Sequence, residues 1–262
     1  MKRKLLIQFI LWHFFASSLY SQTLLVEYDY LDKQPTNSIL ASKKEFGLIL
    51  NSEKSLYKLK NDKLLYVESD EKIVKNGVVR EQISDDYVKV TTEEPQVFYK
   101  DIYKNSLIYS TAIFNKIVYV KEKLDKFNWI YITEKDSTFL NFKCKLAKTR
   151  FRGVGWDIYY TDELSFYGGP WKFNGLPGVV LYAESNDGNH KFEATSIQTK
   201  KETIKINNPF IQKETITWTE FTKTLKKKLQ NIVKKAKAED PDGDIRITLS
   251  DLIEDVGFTV IE

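Results

Sequence analysis

The chain has 262 residues, with 40 Lys and Arg against 36 Asp and Glu and a formal net charge of +4. A single cysteine and two histidines exclude a disulfide framework and a zinc centre built from several His and Cys ligands. Three of the cations, Lys2, Arg3 and Lys4, sit at the very start, so the rest of the chain is close to neutral and nucleic acid is not a default partner.

Those cations open a leader. Leu5 to Leu19 is mostly apolar, broken by Gln8 and His13, and Ser21 offers a small residue before Gln22. The pattern predicts a secretory signal peptide over residues 1–21, cut after Ser21. The run is too short and too interrupted for a membrane span, and no later stretch supplies one. No cysteine near the cleavage point offers a lipid anchor. The expectation is an exported protein with no transmembrane segment in the mature chain. Residues 22–262 are expected to form one domain, a length that buries roughly 70–75% of its unfolded surface without covalent staples.

Period-two patterning runs through most of that domain. Leu24, Val26, Tyr28 and Tyr30 alternate against Glu27 and Asp29, and Phe46, Leu48 and Leu50 follow the same rule. The pattern recurs at Tyr57 and Leu59, at Val97 to Tyr99, Leu107 to Tyr109 and Ile117 to Val120. It continues at Phe127-Trp129-Tyr131, Phe142-Cys144-Leu146, Trp156-Ile158-Tyr160, Val179 to Ala183 and Lys191 to Thr195. Aromatic and β-branched residues are what a pleated, half-buried surface selects. Short segments joined by turns such as Asn61-Asp62 and Asn186-Asp187-Gly188 predict an antiparallel meander. The predicted fold is mainly β: a single curved antiparallel sheet or half-open barrel with a C-terminal amphipathic helix packed on it.

That helix is predicted over about 217–237. Trp218, Phe221, Leu225, Leu229, Ile232 and Val233 follow helical spacing, and Thr217 with Glu220 makes a capping box. Lysines 223, 226, 227, 228, 234 and 235 occupy the opposite face, the solvated side of an amphipathic helix.

Beyond it, Asp240, Asp242, Asp244 and Asp251 partly follow a calcium loop counted from Asp240. Ile245 stands where such a loop wants Gly, and Asp251 is one methylene short for bidentate closure. The competing reading is a Pro-Asp-Gly turn leading into a strand at Ile245, Ile247 and Leu249. Ca²⁺ is therefore a weak candidate ligand, and no other cofactor is implied.

Catalytic side chains are scarce. His190 is the one histidine after the leader, and a Ser-His-Asp arrangement would have to use it. It sits at a hairpin turn entering a strand. Cys144 lies between Lys143 and Lys145, which would favour a thiolate if they approached it. On an alternating strand those lysines face the other way, so a buried structural cysteine is expected.

The most distinctive stretch is Gly168 to Leu181. Three turn signals, Gly168-Gly169-Pro170, Asn174-Gly175 and Leu176-Pro177-Gly178-Val179, surround Trp171 and Phe173. The last fits a type II turn with Gly178 at positive φ. Lys172 is its one ionisable residue. Gly169, Pro170, Trp171, Lys172, Phe173, Gly175, Leu176, Pro177 and Gly178 read as a stiff loop that plugs two aromatics into the core and launches a strand. No Gly-Lys-Ser/Thr is present, so a phosphate loop is excluded.

These residues resemble the signature of the GLPGLI family, secreted proteins of the Bacteroidota. Gly175-Leu176-Pro177-Gly178-Val179-Val180 stands for the eponymous hexapeptide, and Gly169-Pro170-Trp171-Lys172-Phe173 also matches. So do Lys143-Cys144-Lys145-Leu146-Ala147, Phe151-Arg152-Gly153 and Trp129. The likeness covers roughly residues 97–185. One departure is Val154-Gly155-Trp156 after Arg152-Gly153, where the family often has a second arginine and an aromatic. The resemblance implies a periplasmic or extracellular protein of a Gram-negative cell. It also implies association with TonB-dependent outer-membrane receptors.

Three functions are therefore expected in order. The first is a non-enzymatic binding or accessory component, partnered by an outer-membrane receptor or other envelope protein. The second is a periplasmic carrier holding an apolar or lipid ligand in the concave face. The third is a glycan-acting enzyme using paired carboxylates.

Overall fold

The structure, a computed structural model, describes residues 22–33, 41–64, 71–75, 78–84, 87–92, 96–114, 116–124, 127–239 and 253–258. The leader, residues 1–21, and the Asp240–Asp251 loop lie outside the described residues.

The fold is mainly β. In chain order the strands are β1 (Thr23–Lys33), β2 (Ala41–Leu50), β3 (Lys54–Leu64), β4 (Glu71–Lys75), β5 (Val78–Ser84), β6 (Tyr87–Thr92), β7 (Val97–Asp101) and β8 (Ser106–Ile113). There follow β9 (Lys116–Lys123), β10 (Ile130–Phe139), β11 (Phe142–Phe151), β12 (Val154–Thr161), β13 (Val179–Ser185), β14 (His190–Lys200), β15 (Thr215–Ile216) and one helix, α1 (Trp218–Glu239). Twelve strands make one open, curved sheet in the order β10-β11-β12-β13-β14-β1-β2-β3-β7-β8-β9-β15. It is a meander in two halves, joined where β1 lies between β14 and β2. Pairing is antiparallel except for β15, which runs parallel to β9. A separate three-stranded antiparallel sheet, β4-β5-β6, lies in sequence between β3 and β7.

Alternation decides which side chains face inward. Leu24, Val26, Tyr28, Tyr30, Phe46, Leu48, Leu50 and Tyr57 are buried. Their rings make a cross-strand ladder. Phe46 stacks on Tyr57 with centroids 4.4 Å apart, and Phe98 stacks on Tyr109 at 5.3 Å. Such pairs add about 0.5–1.5 kcal/mol beyond the area they bury. Bulges at Glu27/Tyr28, Glu45/Phe46 and Tyr159/Tyr160 bend the strands and increase their twist.

The helix carries the predicted capping box: the Glu220 amide donates to Thr217 Oγ1 at 3.2 Å, and the Thr217 amide to Glu220 Oε2 at 2.8 Å. Phe221, Leu225 and Leu229 are buried on the side facing β8 and β9. Trp218 is half-buried, and Ile232 is 39% exposed. The apolar stripe thus outruns the surface that covers it. Among the described residues no helix is long and apolar enough to cross a membrane.

Candidate functional site

The distinctive loop organises one end of the molecule. Its base is closed by two backbone bonds: the Gly168 amide donates to Gly178 O at 3.0 Å, and the Val180 amide to Gly168 O at 2.9 Å. A loop whose ends meet this way is of the Ω type. Lys100 reaches it from β7 and donates to Gly169 O at 3.0 Å and Phe173 O at 2.7 Å. Complete burial pushes the Lys100 amine down to about 7. A neutral amine has two N–H donors, and two carbonyls receive them. Trp171 and Phe173 are buried, with ring centroids 5.1 Å apart, beside Trp156.

One detail departs from the sequence reading. Gly178 is not at positive φ; within the loop that conformation falls to Gly168 (φ 147°), Trp171 (φ 48°) and Gly175 (φ 86°). Glycine is needed at 178 for space instead. A Cβ there would lie 2.1 Å from Thr161 O, inside any allowed contact.

The inner side of the loop carries charge. Lys172 is buried and donates to Glu122 Oε1 at 2.7 Å, to Glu254 Oε1 and to Tyr109 Oη at 2.9 Å. Arg152 pairs with the same two acids, Nη2 to Glu122 Oε2 at 2.5 Å and Nη1 to Glu254 Oε1 at 3.2 Å. The Trp218 ring covers both cations, 4.0 Å from the Arg152 guanidinium and 4.8 Å from Lys172 Nζ. Burial pushes the Glu122 carboxyl up, but Lys172 and Arg152 outweigh it and hold the group below the usual carboxylate range. The cluster ties β8, β9, the β11–β12 turn, the loop, the start of α1 and the segment 253–258 together.

Arg152 and Gly153 are the centre of that β11–β12 turn, at φ 44° and 84°. Positive φ at both central residues marks the type I′ hairpin, which explains an Arg-Gly pair at this place. Glu122 and Glu254 escaped the sequence reading. Lys172, a lone charge in an apolar loop, was the signal that a buried acid had to exist.

The remaining candidates are structural. Cys144 is buried on β11 while Lys143 and Lys145 are exposed, and burial pushes its thiol up to about 11. His190 Nδ1 bonds the Tyr30 hydroxyl at 2.8 Å and lies 3.6 Å from Asp32 Oδ1. The Ser185 hydroxyl accepts from the His190 backbone amide at 2.9 Å and donates to Asp187 Oδ1 rather than to the His190 ring. Among the described residues no group of acid, His or Cys side chains is placed to hold a metal. The candidate Asp240, Asp242, Asp244 and Asp251 are outside them.

A cavity beside Tyr30, Phe98 and Lys172 measures about 30 Å³, room for a water or two and too small for the lipid of the carrier expectation.

The outer side of the loop is different. Asn174, Gly175, Leu176 and Pro177 form one wall of an open groove of about 720 Å³. The β2–β3 turn, the β7–β8 turn, edge strand β10 and residues 165–167 supply the other walls. Trp129 Nε1 donates to Asn174 O at 3.1 Å and steadies the loop on this side.

In comparison with known families, residues 51–223 match the one described as N-glycanase peptide, N-terminal domain. Two solved structures of PNGF-II are similar. The C2 crystal form is 20% identical, with 78% of this chain and 33% of that chain covered at a TM-score of 0.48; the P21 form is 18% identical, with 75% and 31% covered at 0.46. This chain thus spans about a third of the length of those chains. No curated protein matches. The family match overturns the expected transport-associated accessory role and points to glycan, the third expectation. It does so without free paired carboxylates at the charge cluster, since Glu122 and Glu254 are both engaged by Lys172 and Arg152. The chain belongs to the family of N-glycanase N-terminal domains.

Proposed function

We propose that the chain acts in the removal of N-linked glycans from proteins, engaging the N-glycosylated protein on which an N-glycanase works. The observation that carries this reading is the family match over residues 51–223, which takes in the loop and nearly all of the groove wall. The geometry supports it in two ways. The charge cluster and Lys100 hold the loop rigidly from inside. The groove outside is open, as a surface must be to receive a glycan projecting from a bulky protein. Export by the leader over residues 1–21 belongs to the same proposal.

Ribonuclease B and ribonuclease A share a polypeptide and differ by an N-linked glycan. With both immobilised, the chain is expected to bind the glycosylated form and to wash off the other. Equal binding to both, or to neither, overturns the reading.

A further inference from the structure

We propose that the groove outside the signature loop is a binding site for a neutral oligosaccharide, with Tyr131 and Tyr167 as its stacking platform. The proposal rests on the functional reading above and assigns that reading a place and a chemistry.

The first argument is charge. In a chain that is 29% Asp, Glu, Lys and Arg, none of these and no His is among the described residues that line the groove. Phosphate, carboxylate and nucleotide ligands are recognised through cations, usually Arg forks or Lys. A wall without them selects an uncharged ligand.

The second is the exposed rings. Tyr131 is 52% exposed, Tyr167 67% and Ile102 42%, and all three line this one groove. Single exposed apolar groups need no explanation, but a cluster rimming a concave surface marks a binding site. A pyranose presents a C–H face that packs on an aromatic ring, and a tyrosine adds a hydroxyl at the rim.

The third is the polar complement. Asn51, Ser52, Ser165 and Asn174 stand among the lining residues. Amides and hydroxyls both donate and accept, as sugar hydroxyls require. Asn51 is already oriented: its Oδ1 accepts from the Glu53 amide at 3.0 Å and the Lys54 amide at 2.9 Å, which turns its NH₂ into the available donor. The backbone wall at 174–177 is held by Trp129 and, through the loop, by Lys100. Pre-organisation of this kind lowers the entropy cost of capture. The volume, about 720 Å³, lies within the usual range for ligand sites.

The test is calorimetric titration of the chain with chitotriose, a neutral oligosaccharide of N-acetylglucosamine, on the wild type and on Tyr131→Ala, Tyr167→Ala, Tyr131→Phe and Tyr167→Phe. Both tyrosines are exposed, so melting temperatures should hold and affinity alone should move. Each Ala variant is expected to bind at least about tenfold more weakly, with the Phe variants close to wild type. Unchanged binding in both Ala variants, or no binding of chitotriose by the wild type at millimolar concentration, overturns the proposal. The same proteins are run on ribonuclease B and A. If they separate the two ribonucleases regardless of Tyr131 and Tyr167, the groove is wrong and the functional reading stands. If chitotriose binds through the tyrosines while the ribonucleases bind alike, the functional reading is wrong and the groove stands.

Discussion

Lys172 Nζ lies 2.7 Å from Glu122 Oε1, joining the one charged residue of the signature loop to a strand 50 positions earlier in the chain. The pair is not isolated, because Glu254 and Arg152 complete an alternating set of two cations and two anions. A buried ion pair is a weak source of net stability, but removing one partner strands the other.

Lys172→Met should therefore cost about 3–5 kcal/mol, at roughly 2–4 °C of melting temperature per kcal/mol for a domain of this size. The deficit has a pH signature. In the wild type the Glu122 carboxyl is held below its ordinary 4.5, so its contribution is present above that value and is lost as pH falls through the lower folded value. In the variant the carboxyl has lost one of its two cations and protonates more readily. Melts at pH 7 and pH 4 should show the gap between the two proteins narrowing on acidification. A constant gap would mean that lost packing, rather than lost charge, explains the cost.

Gly178→Ala should destabilise more than Gly175→Ala. At 178 a Cβ collides with the Thr161 carbonyl at 2.1 Å, and backbone must move. Overpacking of this kind costs about 1–3 kcal/mol and sometimes more. At 175 the residue is exposed and the penalty is the left-handed backbone, about 1–2 kcal/mol. Chemical denaturation of both variants ranks them; the reverse order would return the constraint to backbone conformation.

Lys100 gives a second pH test, of opposite origin. Its folded pKa of about 7 lies below the ordinary 10.5 because burial disfavours the ammonium. Between those values the unfolded chain holds a proton that the folded chain has released, so stability rises with pH across that window. Lys100→Met removes the titration along with the two hydrogen bonds to the loop. The wild type should gain on the variant between pH 7 and pH 10. Parallel stability curves across that range would show that Lys100 does not titrate there.

These residues also mark how far the sequence could be read. Leu24, Val26, Tyr28 and Tyr30 announce their strand because period-two patterning is a local property of one inward face. Helical spacing locates Phe221, Leu225 and Leu229 in the same way, but spacing cannot say where the covering surface ends, and Ile232 falls beyond it. Glu122 was half legible. It is in phase with buried Val120 on β9, so an acid on that face had to meet a cation. Its partners are 30 and 50 positions away, and no periodicity links them. Gly178 is legible as a required glycine, yet crowding by Thr161 and positive φ look identical in sequence. The groove is the extreme case. Asn51, Ile102, Tyr131, Tyr167 and Asn174 come from separate turns and an edge strand, and only the folded sheet gathers them.

If this domain meets N-linked glycan on the outer face of the signature loop, hydrogen exchange on the chain, with a glycopeptide and with the same peptide lacking its glycan, should reveal the contact. Slowed exchange is expected at residues 129–132 and 165–177 with the glycopeptide alone. Protection there by both peptides, or no protection there by either, would contradict it.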